Sequence, residues 1–399
     1  MPTAWAIAAL NAFAALCYVA VEWRSGNLAH LDSTVFSSVD AGTYRQVADF
    51  IFSGGPKTEA LALRPLLYPL VMGAANLLGG VKAVWLMNVV LWFASLNVAA
   101  LAAYRFTTKR WAAFVVFIVM ATNISLIILT FHALAETLAV ALLALWAYGL
   151  TRLTAQITVS QAVWVLLPVS LLVVAKPEFE LLLALVLVVV VVLALRSHAT
   201  WLVIAAGAAC LVPVLVQVWF MENVNHYFGL SQIGDGTIRG YFLARLYALL
   251  ANSSDIAAQR PDTRGLSNSA VVQVLLQHPV QAVIVLLGTL KENLLSGSNF
   301  VGGTTGRLIV ATNYVYAACL AVLLPLVAVA LNRARDGRLA LLTAGVLNVL
   351  LTGSLSFWQG DRLTLIALPL WLVALVVATN EVRVPARWRP LPREKPTAA

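Results

Sequence analysis

Apolar residues run through this chain in long blocks, and polar residues are confined to the gaps between them. Blocks such as LLLALVLVVVVVLAL (181–195) and AVLLPLVAVAL (321–331) show no alternation of polar and apolar positions. A membrane-spanning β-strand needs that period of two, so the blocks predict helices and exclude a barrel. Spanning helices are expected at about 4–21, 82–104, 112–131, 133–150, 162–176, 178–196, 200–220, 309–331, 339–357 and 363–380. Several lie near the short limit of roughly 17 residues for a bilayer crossing.

Two polar stretches, 22–81 and 221–308, are longer than the other gaps. Each contains an apolar piece. RPLLYPLVMGAANLL (64–78) is short and carries two prolines, and HPVQAVIVLLGTLKENLL (278–295) is almost long enough to span. Both are read as helices lying in the membrane interface. A span at 278–295 would reverse the side of every later loop. The expected fold is therefore an all-α membrane protein of about ten transmembrane helices, one domain over 1–380, with a basic tail at 381–399.

Composition agrees. The 399 residues are 61% hydrophobic and 11% charged, with mean hydropathy +0.88, whereas a soluble domain carries roughly 25% charged residues. The net charge of +9 gathers in three places. These are Arg105, Lys109 and Arg110; then Arg333, Arg335 and Arg338 beside Asp336; then Arg383, Arg387, Arg389, Arg393 and Lys395. An even number of spans puts all three on one side, which the positive-inside rule makes cytoplasmic, with both termini. The stretches 22–81 and 221–308 then face outward from the cytoplasmic membrane. No basic stripe interleaved with aromatics appears, so nucleic acid is not an expected partner. Cys17, Cys210 and Cys319 sit in apolar runs and read as small buried hydrophobes, not as ligands or a disulfide framework. Residues 1–21 lack a basic leader and a small-residue cleavage site, so they read as a retained helix.

The ionisable residues near the spans are Glu136, Lys176, Glu178, Glu180, Asp361 and Arg362, and each falls at an outer helix end. None lies at mid-membrane, where a proton relay or ion pathway needs one. In SSVDAGTYRQVADFIFSGG (37–55) a helix starts near Asp40 and is stopped by Gly54-Gly55-Pro56. Tyr44, Val47, Ala48 and Ile51 share one apolar face, and Asp40 sits over it, either as a helix N-cap or as a site residue. Arg45 and Asp49 read as a solvated i,i+4 pair. ALRPLLYPL (62–70) places Arg64 before Pro65 and Tyr68 before Pro69. Arg64 could snorkel to headgroups or grip a phosphate bidentately. HALAETLAV opens a helix with Glu136 in its first turn, where the helix dipole favours an acid. AKPEFELLL holds Lys176, Glu178 and Glu180 at a tight turn, and GDRLTLIALPL sets Asp361 and Arg362 at the mouth of the last helix. Together these describe an outer cavity with two or three carboxylates and three or four cations beside lipid. Cations there suit a lipid-borne phosphate, and a carboxylate suits proton removal from an acceptor hydroxyl.

These motifs, in this order, resemble the GT-C superfamily of integral-membrane glycosyltransferases, nearest to the protein O-mannosyltransferases and the bacterial lipid A aminoarabinose transferases. The pattern runs over about 1–380, with 36–72 and 131–140 its specific parts, and 221–308 matches nothing in it. The resemblance implies a polyprenyl-phosphate-sugar donor, an inverting transfer outside the cytoplasmic membrane, and a general-base aspartate, which falls on Asp40. It makes Tyr44, Arg64, Tyr68, Glu136, Lys176, Glu178, Asp361 and Arg362 the substrate-binding candidates, with Arg64, Arg362 and Lys176 on the phosphate. The acceptor is a lipid, a glycan or a protein. Many relatives carry Asp-Glu at the first motif, whereas Ala41 follows Asp40 here. That puts a metal-binding acid pair in doubt. No cofactor is certain and a divalent cation stays open, with Glu136 or Asp361 as the other candidate acid. Three rival readings remain. One is a polysaccharide polymerase or ligase using diphosphate-linked glycans, with Arg239, Arg245, Arg260 and Arg264 in the second stretch. The others are a lipid-linked sugar transporter or flippase and a non-catalytic scaffold.

Overall fold

The computed structural model describes residues 4–196, 200–297, 303–334, 336–356 and 360–383. All regular structure among them is helical. Most of the expected tail, including Arg387, Arg389, Arg393 and Lys395, lies outside the described residues, as do Phe357–Gln359 ahead of GDRLTLIALPL. Helices occupy each of the ten expected positions. Among the described residues, five are long and apolar enough to cross a membrane, or seven if each of two bent pairs forms one span; four more apolar helices have 10–17 residues. Among the described residues the chain is all-helical, with several long apolar helices compatible with a multi-pass membrane protein.

The centre of the bundle is Ala135–Leu150, which buries 13 of its 16 residues. A helix that is apolar all round needs neighbours on every side, and those neighbours include Leu67–Thr107, Val159–Ala175 and Leu368–Arg383. Gly149 permits the tightest of these packings. A Cβ there would stand 2.2 Å from the backbone oxygen of Trp164. The first helix, Ala4–Arg24, lies at the periphery and buries only Ala14, Tyr18 and Glu22, four residues apart on one stripe.

Leu67–Thr107 is drawn as one 41-residue helix but breaks at Gly79 and Gly80. Gly80, at φ 64° and ψ −153°, holds a conformation that a side chain does not tolerate. A straight helix would separate Tyr68 from Asn88 by about 30 Å. The Tyr68 hydroxyl instead lies 3.4 Å from Asn88 Oδ1. The chain therefore doubles back at the glycines. The expected short helix at 64–78 becomes the first limb of a hairpin, and the expected span at 82–104 lies in the second.

The expected span at 112–131 is also broken. Arg110–Ala121 and Ile124–Phe131 meet at 58°, with the Asn123 side chain capping the second piece through the Leu126 N–H at 2.7 Å. In the second polar stretch, Asn268–Gln277 and Pro279–Leu295 meet at 96°. The apolar run 278–295 is thus a 17-residue helix beginning at Pro279, set sharply against the helix before it.

Candidate functional site

The helix that carries the acidic motif runs from Val39 to Ser53. Its N-cap is Ser38, whose hydroxyl accepts the Ala41 N–H at 3.1 Å. Asp40 is therefore not the cap, which was one of its two sequence readings. Its carboxylate is left over for other work. Gly54 ends the helix in the left-handed conformation, as the sequence predicted. Tyr44, Val47 and Ala48 are buried, while Arg45 and Asp49 form an exposed pair at 3.8 Å.

Both oxygens of Asp40 are taken by arginines from distant parts of the chain. Arg64 Nη2 donates to Oδ1, and Arg362 Nη2 donates to Oδ2. Arg64 does not snorkel; it is 8% exposed. Its Nε donates to Thr43 Oγ1 at 2.8 Å, and its guanidinium lies over the Tyr44 ring at 4.8 Å. Tyr68, fully buried, packs edge-on against Tyr44 with ring centroids 5.0 Å apart. Arg362 Nε donates to Glu136 Oε1 at 2.9 Å, and Lys176 Nζ reaches the same oxygen at 3.4 Å. Lys176 also pairs with Glu178 at 3.6 Å.

Five separate segments thus meet at helix ends to form one network. It runs from Arg64 through Asp40, Arg362, Glu136 and Lys176 to Glu178, and cations and acids alternate along it. Three carboxylates against three cations leave it formally neutral, so burying it does not strand a charge. Asp40 is its most open member, with 23% of its side-chain surface accessible against 9% for Arg64, 13% for Arg362 and 2% for Glu136. The network is therefore most open at its Asp40 end, with Glu178 next at 19%. Burial pushes the Asp40 carboxyl up, but the charges of Arg362 and Arg64 outweigh it and hold the pKa at about 2.

The neighbouring segments fix these side chains in place. The helix Val212–Asn225 and the segment just after it clamp the turn that bears Arg64. Gln217 Oε1 accepts the Leu66 N–H at 2.9 Å while its Nε2 donates to the Leu230 carbonyl at 2.7 Å. Ser231 donates to the Leu63 carbonyl at 2.7 Å, and the Gln232 N–H to that of Ala62 at 2.9 Å. On the other flank Ala133 N–H donates to Val35 O at 2.9 Å, and Asn88 donates to His132 O at 2.8 Å. These bonds set the break that opens the Glu136 helix. Asn348 donates to the Glu178 carbonyl at 3.0 Å.

Of the sequence candidates, Asp40, Tyr44, Arg64, Glu136, Lys176, Glu178 and Arg362 come together, with Tyr68 behind Tyr44. Asp361 does not join the network. Although next to Arg362, it is 1% exposed and accepts from Asn313 Nδ2 at 2.9 Å, in a small separate cavity with Tyr316 and Trp371. Exposed Glu180 also stays apart. Thr43, Gln217 and Ser231 carry no sequence signal for their positioning roles. Glu22 falls outside the span expected at 4–21, which stops three residues short of the helix end at Arg24; it is fully buried, with Asn27 Nδ2 on one oxygen at 2.7 Å. The Arg362 guanidinium lies between Asp40 and Glu136, where a metal shared by those acids would sit. Among the described residues no three His, Cys, Asp or Glu side chains are grouped to hold a metal ion.

No protein-family model matches this chain, and neither does any curated protein or solved structure.

Proposed function

We propose that the protein is a membrane glycosyltransferase that moves a sugar from a polyprenyl-phosphate donor to an acceptor hydroxyl, with inversion, at the outer face of the cytoplasmic membrane. One observation carries this reading: a partly open carboxylate, Asp40, flanked by two guanidiniums, in a mostly buried polar network within an apolar helical bundle. Guanidiniums suit a phosphate that must be held by its oxygens. The apolar helices beside them suit the prenyl tail.

In this reading Arg64 and Arg362 hold the donor phosphate, and Lys176 stands behind them through Glu136. Asp40 accepts the proton of the acceptor hydroxyl. The acceptor oxygen bonds to the anomeric carbon from the face opposite the phosphate. The bond from that carbon to the phosphate oxygen breaks, and its electron pair leaves with polyprenyl phosphate. Glu136 Oε2 is a buried acceptor without a hydrogen-bond donor among the described residues, which a sugar hydroxyl would supply.

The test is incubation of the purified protein with labelled polyprenyl-phosphate sugars and membrane lipid extract. A labelled product formed by the native protein and lost in Asp40→Asn is expected. Transfer at the native rate in that variant refutes the role of Asp40, and no transfer from any such donor refutes the reading.

A further inference from the structure

The network poses a problem for its own proposed base. A general base works best with a pKa near the operating pH and a lone pair aimed at the proton it takes. Asp40 is poorly placed on both counts in this state, since a guanidinium occupies one lone pair of each oxygen and the two arginines hold its acidity near 2. The same guanidiniums are the groups best suited to grip a phosphate. A carboxylate and a phosphate present comparable pairs of oxygens to flanking arginines. A phosphate entering from the Asp40 side must take the same N–H bonds of each Nη2 that the carboxylate now holds.

Resting on the transferase reading, we infer that the Asp40 carboxylate is the resident anion of a phosphate seat between Arg64 and Arg362, and that a lipid-borne phosphate takes the seat by displacing it. Displacement frees Asp40 as a base only when donor is bound. It also orders the substrates, donor before acceptor. The guanidiniums exchange one anionic pair of oxygens for another, whether the incoming phosphate is the diester of the donor or the monoester that leaves. Asp40 is the most accessible member of the network, so the incoming anion meets the group that must move. Arg64 keeps its seat during the exchange through Thr43 and the Tyr44 ring, and Arg362 through Glu136.

Farnesyl phosphate is the probe, titrated into the full chain in lipid nanodiscs. Removing a competing charge-assisted bond from each guanidinium should tighten binding about tenfold or more in Asp40→Asn. Glu180→Gln removes the same charge from the turn beside Lys176, outside the network and without touching either guanidinium, and binding there should change less than threefold. Equal tightening in the two variants would reduce the effect to a general field and overturn displacement. Unchanged or weaker binding in Asp40→Asn would overturn it as well. A second measurement uses the native chain, so it does not depend on the variant folding. Infrared difference spectra of protein labelled with ¹³C-aspartate should show a shifted carboxylate stretch on adding farnesyl phosphate, and Arg64→Ala should abolish it. A silent carboxylate in the native protein overturns the proposal. Tighter binding in Asp40→Asn and a shifted stretch, with no sugar transfer by the native protein, would uphold the seat and remove the transferase reading.

Discussion

Glu136 is the member of the network with the least freedom to compensate. It is 2% exposed, and its Oε1 accepts from both Arg362 at 2.9 Å and Lys176 at 3.4 Å. Glu136→Gln keeps the shape and removes the charge, leaving two buried cations with one fewer partner. Breaking a buried ion pair from one side costs about 3–5 kcal/mol, and Arg362 retains Asp40, so the loss should fall near the lower end, about 3 kcal/mol. The Coulombic part is returned if a cation is removed with the acid. Glu136→Gln combined with Lys176→Met should therefore lose less than the sum of the two single changes by about 0.5–3 kcal/mol, the range for groups in one network. The assay is reversible unfolding in mixed micelles with SDS, followed by tryptophan fluorescence, for both single variants and the double. Strict additivity would mean that the alternating charges do not stabilise one another, and would refute the account of the network.

The Asp40 carboxyl gives a pH dependence of defined sign. Its pKa is lowered from 3.8 to about 2. The stability this contributes, about 2 kcal/mol, is complete above pH 4 and lost as pH falls from about 4 to 2. Acid unfolding curves should show that loss in the native chain and not in Asp40→Asn; parallel curves would refute it. Gly80→Ala forces a side chain into a region essentially reserved for glycine and should destabilise the hairpin by about 1–3 kcal/mol, whereas Gly79→Ala, at φ −166°, should cost less. Thermal unfolding of the two variants decides this. Gln217→Leu leaves the Leu66 N–H and the Leu230 carbonyl without their partner and should cost about 1–3 kcal/mol. It should also weaken farnesyl phosphate binding, because it loosens the turn of Arg64; unaltered binding would detach Gln217 from the site. Gly149→Ala places a Cβ 2.2 Å from the Trp164 carbonyl oxygen and should lower the melting temperature more than either substitution at the hairpin.

The helical class and the position of each apolar helix were legible in the sequence because run length and hydropathy alone decide them. The candidate residues were legible one by one, as ionisable groups at helix ends. Their convergence was not, since Asp40 and Arg362 are joined across 322 positions and nothing local records that. Spacing placed Asp40 over the buried face of its helix, but could not choose between cap and site. Only Ser38 taking the cap resolves that. The doubled-back hairpin was hidden for a different reason. Gly79-Gly80 in an apolar run reads as an interruption, and the angle it makes depends on Tyr68 meeting Asn88. Asp361 was grouped with Arg362 by adjacency, yet consecutive side chains of a helical turn point in different directions.

The neutrality of the charged network has a consequence for how a ligand reaches it. Three acids and three cations packed within a few bonds of one another cancel beyond a short distance, so the protein casts little field into its surroundings from this point. An anion would not be drawn here from afar. It would have to arrive by lateral diffusion among the lipids and meet the arginines at contact range. Capture would then depend on how deeply the tail partitions beside the bundle, with ionic strength having little influence. A soluble phosphate would gain nothing from this arrangement, whereas a phosphate delivered at membrane depth would find its binding groups already paired, desolvated and exchangeable.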